Sequence, residues 1–393
     1  MKRLPIVALF CGAVVAGYFG YQRFDMARYS RARAEARKVI SIIESSGGKA
    51  FGWSSLSVRL DDQSDISDAG GRVRLGEKWA AQGVGIESLA SLRLIGELEI
   101  DFPECSDDDL QAIAKLPYLE SLVLLRGRIT SRGLRSLREA PDLRTLTISG
   151  KACREVDFDD FRGLDLRCLS LNGVESVTLR HMKHFADQKR LIAFEMVNCQ
   201  IAGPGEIDFR ETPNLRAFSV GNTKFSDDDL HGISSLHSAR FVNLSGTGVR
   251  GPVVRRLQEM PALRSLSIND VELSDDAFAM LFELTELDSL EIDGSPFEND
   301  RVRHLSKMKS LRNLSVRRTP VDIDSFRKET LPSSLTTVRQ GMDNTLVLDP
   351  KWIERTGHGR SLTSLHSQLF VMSDSGFRPY SKTERELGSE TGR

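Results

Sequence analysis

The chain has 393 residues, 40% of them hydrophobic and 28% charged, and its 54 basic and 55 acidic side chains leave a net charge of −1. That balance gives no bulk electrostatic case for a nucleic-acid partner or an acidic substrate. The length exceeds what one compact core usually covers and leaves two domains or one elongated repeat array. Cys11, Cys105, Cys153, Cys168 and Cys199 are scattered, with no CxxC, so neither a disulfide framework nor a zinc knuckle is expected. They read as small core residues, with one disulfide among the later four left open.

Residues 1–22 carry Lys2 and Arg3 and then run from Leu4 to Tyr21 without a charge. A bilayer-spanning helix needs about 20 such residues, and Tyr18, Phe19 and Tyr21 suit an interfacial belt. The expectation is an uncleaved membrane anchor. A cleaved signal ending at Val14-Val15-Ala16 is the alternative, whereas Phe10 before Cys11 argues against a lipoprotein signal. Residues 23–48 predict a basic juxtamembrane helix stopped at Gly47-Gly48. Its basic stretch, from Arg23 to Lys38, holds Arg23, Arg28, Arg31, Arg33, Arg37 and Lys38 against Asp25 and Glu35, a second contact for anionic headgroups. The charge rule favours a cytoplasmic repeat domain, a short basic lead favours export, and the side stays open.

Residues 49–90 read as a cap. "LSVRLDDQSDISDAGGRVRL" alternates as two short strands around a polar turn, and "EKWAAQGVGIESL" as a helix covering an open core. From 91 to 341 a single frame recurs. LxxLxL stands at Leu119-Leu122-Leu124, Leu143-Leu146-Ile148 and Leu263-Leu266-Ile268, with equivalents elsewhere. Its middle residues are 98, 122, 146, 169, 194, 218, 242, 266, 290, 314 and 338, so every step is 24 except a 23 and a compensating 25. Each LxL predicts a short strand. A second apolar pattern follows it, as at Leu110, Ile113 and Leu116, with the spacing of a short amphipathic helix. No single such unit buries its own apolar face, so about eleven must stack as a solenoid.

The frame assigns the doubled "SDDDL" at Ser106 and Ser226. Both serines, with Thr130 and Ser274, precede the helical pattern, where a hydroxyl caps free N–H groups. Asp109 and Asp229 complete approximate capping boxes, and the other carboxylates oppose the helix dipole. A second slot, five residues after mid-strand, holds Cys199, Thr223, Thr247, Ser295 and Thr319, which are placed to bond the turns of adjacent coils.

These units resemble those of bacterial leucine-rich-repeat proteins with 24-residue repeats. "ALRSLSINDVELSDDAFAMLFELTEL" from Ala262 and "LESLVLLRGRITSRGLRSLREAPDL" from Leu119 carry the likeness. The apolar helix, basic helix and Gly-Gly stop are similar to those of membrane-anchored members in planctomycete-type bacteria. The resemblance implies an α/β solenoid, a horseshoe with a concave parallel sheet and short helices on its convex side. It implies protein binding as the role and brings no catalytic residues. The coils near 146, 169 and 194 lack the Ser/Thr-Asp start and carry Gly203-Pro204-Gly205, so irregular or missing helices are expected there.

The residues flanking the inward leucines define the concave face. Glu97, Glu99, Asp101, Phe241, Asn243, Asn269, Glu291, Asp293 and Arg317 are its candidate partner-binding residues. They suit an unidentified protein partner of polar or basic character, because Phe241 and Arg317 are the only hot-spot types in those rows. His181 and His184 have no carboxylate or thiol at ligand spacing. "GPGE" and "TGHG" lack the lysine of a phosphate loop, and no GxSxG occurs. No metal, cofactor or catalytic group is expected. The functional reading is a non-enzymatic membrane-anchored protein-binding scaffold in a bacterial cell membrane. The alternatives are a substrate-recognition adaptor for a separate enzyme, or an enzyme with an unmotifed site in coils 150–215. Residues 342–372 read as a C-terminal cap with Trp352 over it, and residues 373–393 as a disordered tail.

Overall fold

The computed structural model describes residues 41–51 without 42 and 46, 71–81, 86, 89, 95–178, 188–202, 212–340, 345–347, 370–373 and 376–379. The expected membrane helix, the basic stretch from Arg23 to Lys38, His181, His184 and Trp352 lie outside them. Among the described residues no helix is long and apolar enough to cross a membrane.

The array begins with β1 (Lys49–Phe51) antiparallel to β2 (Gly71–Gly76). Just before β1, Gly47 takes φ +79° and the Gly48 N–H bonds the Ile43 carbonyl at 2.9 Å, so the Gly-Gly pair does end a helical turn. The expected first cap strand at 56–60 is outside the described residues; β1 pairs with β2 instead. The cap helix is a single turn, Glu77–Ala80, whose Trp79 is buried over the first coil.

Each of the eleven phased copies then adds one strand. These are β3 (Ile95–Asp101), β4 (Ser121–Arg126), β5 (Thr145–Ser149), β7 (Cys168–Asn172), β9 (Ala193–Val197), β11 (Ala217–Ser219), β12 (Phe241–Asn243), β13 (Ser265–Ser267), β14 (Ser289–Glu291), β15 (Asn313–Ser315) and β16 (Thr337–Arg339). With β1, β2 and a closing antiparallel β17 (Thr345–Val347) they form one 14-stranded sheet. Every neighbour from β2 to β16 pairs parallel, and Glu97, Ser121, Thr145, Cys168, Ala193, Ala217, Phe241, Ser265, Ser289, Asn313 and Thr337 are ladder partners in turn. The step of 23 and its compensation therefore cost nothing in register. The mid-strand leucines bury completely because strand alternation turns them all to one side.

Across the core lie the helices Asp107–Ile113, Ser131–Ser136, Pro252–Leu257, Asp275–Leu281 and Ile323–Lys328. The coil at 218 has its cap but winds as a 3-10 turn, His231–Ser235, since Gly232, Ser234 and Ser235 are poor helix formers. In the middle coils a second parallel sheet, β6 (Glu155–Asp157), β8 (Ser176–Thr178) and β10 (Ile201–Ala202), follows the main strands. Val156 and Val177 are buried there, and β-branched residues favour strand where the capping start is missing. Near the C-terminus β18 (Phe370–Ser373) and β19 (Gly376–Pro379) form a hairpin, so residues 376–379 have structure where disorder was expected.

After each main-sheet strand from β7 to β15 the chain turns through a left-handed residue: Gly173, Asn198, Asn222, Gly246, Asp270, Gly294 and Arg318. Gly294 has φ +69°, and a Cβ there would stand 2.1 Å from an oxygen of Asp270, which is held by Arg318. Gly294→Ala is expected to destabilise the array by about 1–3 kcal/mol through backbone strain plus this clash. Urea unfolding followed by circular dichroism measures it, and an unchanged midpoint refutes the argument.

Candidate functional site

The "SDDDL" carboxylates each have a structural partner. Asp109 accepts the Ser106 N–H at 2.8 Å and its hydroxyl at 3.0 Å, and Asp229 does the same for Ser226 at 2.8 and 2.6 Å. These are capping boxes, as expected. The first carboxylate of each triplet reaches the next coil, a role the sequence reading missed. Asp107 accepts the Thr130 N–H and hydroxyl at 2.8 and 2.6 Å, and Asp227 accepts from the N–H groups of Arg250 and Val253 at 2.8 and 2.7 Å. Asn299 repeats the bond to the Asp322 N–H at 2.7 Å. Among the described residues no group of His, Cys, Asp and Glu is arranged to hold a metal ion.

The hydroxyl slot is also structural. Thr223 donates to the Met196 carbonyl of the preceding coil at 3.1 Å and receives the Cys199 N–H at 3.3 Å, while Ser295 donates to Ile268 at 3.0 Å. Thr247 and Thr319 close their own turns instead. Cys105, Cys153, Cys168 and Cys199 are free thiols, which closes the disulfide option among them. Burial pushes Cys105 and Cys153 up to about 12, and Cys168 and Cys199 to about 11, from an ordinary 9.0. In a Cys11→Ser chain, thiol reagents at neutral pH are expected to label the native array only after denaturant is added. Because the unfolded thiols ionise first, stability falls as pH rises above about 9, and is indifferent to these groups below it. Rapid labelling in native buffer would refute both statements.

At the N-terminal end of the concave face, Glu97, Glu99 and Asp101 come together as expected, but they do not stand alone. The register sets Arg72 opposite Glu97 and Arg74 opposite Glu99. Arg72 lies 3.7 Å from Glu97 and 3.3 Å from Glu99; Arg74 lies 3.2 Å from Glu99 and 2.7 Å from Asp101. Arg126 reaches Asp101 at 2.6 Å and Glu77 at 2.5 Å. Burial pushes Asp101 up, but bonds from Arg74 and Arg126 outweigh it and hold it below the ordinary range. This network fastens the cap to the first coils.

In the centre, Phe241 is half-buried beside Ala217, Ala193 and Cys168. Asn243 donates to Ser219 at 3.1 Å, and the Asn269 side chain accepts the Asp293 N–H at 2.8 Å. Further along, Glu291 accepts the Ser267 hydroxyl at 2.9 Å, and Asp293 accepts from the Ser315 hydroxyl and the Arg317 N–H at 2.6 and 2.7 Å. Arg317 is half-buried, and its Nε has no hydrogen-bond partner among the described residues. Burial, and then Arg317 beside it, hold Arg339 below its ordinary value.

The floor between these residues is a row of buried Thr147, Ser170, Glu195, Ser219, Ser267 and Ser315. One in-register strand per coil, each with leucines inward and small polar groups outward, decides the architecture. The fold is a leucine-rich-repeat solenoid. No protein-family model and no curated protein matches the chain. Solved structures with a similar fold include an internalin from Listeria monocytogenes, 14% identical over 71% of this chain and 88% of the other, at a TM-score of 0.41. Mouse RP105, in complex with MD-1, is 18% identical over 60% and 44%, at 0.48. The Arabidopsis receptor kinase HAESA ectodomain, in complex with a peptide hormone, is 15% identical over 65% and 42%, at 0.44. The chain thus spans less than half of the RP105 and HAESA chains.

Proposed function

We propose that this solenoid is a non-enzymatic, membrane-tethered scaffold that presents its concave sheet to a protein partner. The observation that carries this reading is the sheet itself. Eleven in-register strands, about 4.8 Å apart, give a continuous surface roughly 50 Å long. Its floor is largely polar and hydrogen-bonded, the C-terminal strand β19 packs against β7, and one half-buried phenylalanine stands near the middle. A long, preorganised face of that kind suits a macromolecular partner better than a small molecule, which takes a deep cleft. The polar and charged candidates named above lie on it. The uncharged run from Leu4 to Tyr21 supports a single-pass tether in a bacterial membrane, the arrangement of the planctomycete-type proteins that the N-terminus resembles.

A photo-crosslinking amino acid placed at concave Ser265 or at convex Glu259 tests the face. Adducts from Ser265 and none from Glu259, in membranes of the host, are expected; the reverse pattern refutes the concave assignment. Fractionation tests the tether, since a chain lacking residues 1–46 should leave the membrane pellet.

A further inference from the structure

We propose that the strand-start rim over β11 and β12 docks an acidic, extended segment of a protein partner, with Phe241 as its apolar anchor. This rests on the concave-face reading above. The residue two before each mid-strand position is Gly96, Glu120, Arg144, Arg167, Ile192, Arg216, Arg240, Arg264, Asp288, Arg312 and Thr336 in turn, so arginine fills the slot six times. The N–H groups of Arg216, Arg240 and Arg264 bond the carbonyls of Ile192, Arg216 and Arg240 at 2.8, 2.8 and 2.9 Å. These three arginines therefore stack one strand apart, about 4.8 Å per step.

They are not used alike. Arg144 and Arg264 fold back onto carbonyls of their own turns, and Arg264 lies 3.6 Å from Glu286. Arg167, Arg216, Arg240 and Arg312 are exposed, and no side-chain hydrogen bond or ion pair engages them among the described residues. Elsewhere several arginines of the array pair with carboxylates, as in Arg132 with Asp108, Arg135 with Asp160 and Arg301 with Asp275. Exposed Arg128, Arg162, Arg250 and Arg255 do not among the described residues, but they are not stacked on successive strands as Arg216 and Arg240 are. Adjacent cations without counter-charges repel, and a ligand carboxylate removes that repulsion. An extended chain rises about 3.4 Å per residue, so closely spaced acidic residues reach the unpaired Arg216 and Arg240 in succession.

Phe241 follows Arg240 directly, and its ladder neighbours are the small Ala217 and Ser265. The ring is the largest side chain in that row, next to the unpaired cations; aromatic and arginine anchors are the types that dominate interfaces. The concave carboxylates that suggested a basic partner are, by contrast, engaged within the protein. Arg72, Arg74 and Arg126 pair Glu97, Glu99 and Asp101, and Asp293 holds Ser315 and the Arg317 N–H.

The test uses the full chain and fluorescence anisotropy with labelled probes: a glutamate-rich decapeptide bearing one phenylalanine, its Phe-to-Ser version, a lysine-rich counterpart, oligothymidylate and phosphatidylserine vesicles. The acidic Phe-bearing peptide is expected to bind best and to weaken with salt. Arg216→Glu with Arg240→Glu should raise its Kd about tenfold or more, and Phe241→Ser should erase the advantage of its phenylalanine. The convex change Arg255→Glu should do neither. Preference for oligothymidylate or the lysine peptide, vesicle binding that is lost in the double reversal, equal loss in the convex variant, or no binding of the acidic peptide overturns the proposal. Vesicle binding that the double reversal leaves intact belongs to the N-terminal tether. The Ser265 crosslink separates the two readings. Adducts that persist in the double reversal leave the scaffold standing and remove the acidic partner. No Ser265 adduct in the unaltered chain removes the scaffold reading itself.

Discussion

Replacing Asp160 with alanine is expected to cost about 3 kcal/mol, more than any other single carboxylate change in the array. Its side chain is 0% exposed, yet it serves three donors from two coils: the Ser131 hydroxyl at 2.7 Å, Arg135 Nε at 2.9 Å and the Asp157 N–H at 3.2 Å. It completes the cap of the 3-10 turn Phe158–Phe161, whose two rings pack edge-on and continue through Phe158 to Phe194. Removing the carboxylate leaves a half-buried N–H and hydroxyl without an acceptor. Arg135→Ala should cost less, about 1 kcal/mol, because that side chain is 55% exposed and Asp160 keeps its other two donors. Coils touch only their neighbours, so damage at this junction also weakens the coupling between the first coils and the rest. Urea unfolding of Asp160→Ala should show a lower midpoint and a broader or split transition, whereas a loss under about 0.5 kcal/mol would mean the junction is not under this control.

The asymmetry between local and cross-coil interactions explains what the sequence discloses. Strand register follows from the leucine frame, because a slip would turn Leu122 or Leu266 out of the core. The same frame locates the caps of Ser106, Thr130 and Ser274, since a capping hydroxyl acts within three residues. Partners one coil away are harder to see. Asp107 and Thr130 are 23 apart and Arg74 and Asp101 27 apart, and only the stacked register makes them neighbours. For that reason Glu97, Glu99 and Asp101 look like a free acidic patch in the sequence and are ion-paired in the fold. The arginine rim was visible in the same alignment, but it lies one position outside the strand rows taken to define the face. The irregular middle was legible as an absence of Ser/Thr-Asp starts, though not as a second parallel sheet, because short valine-containing segments do not name their partners.

The three aspartates of "SDDDL" should differ in a fixed order when changed singly to alanine. Asp227 comes first. The helix Pro252–Leu257 starts at Gly251, which has no side chain to cap it, so the N–H groups of Arg250 and Val253 depend on Asp227 from the coil before. Proline at the first helical position removes one orphan donor but leaves the others. Asp227→Ala is expected to cost about 1–2 kcal/mol, the upper part of the range for a cap. Asp229→Ala breaks a reciprocal box on an exposed 3-10 turn, with Ser226 still present, and should cost about 0.5–1 kcal/mol. Asp228→Ala should stay within about 0.5 kcal/mol, because its backbone carbonyl accepts from His231 and no side-chain bond is lost. The same order should hold for Asp107, Asp109 and Asp108, where Asp108 has a surface ion pair with Arg132 in which both side chains are more than three-quarters exposed. Six single variants, compared by urea midpoints, decide between this order and a metal site. A bound cation would make all three aspartates matter about equally and would make stability fall on adding a chelator.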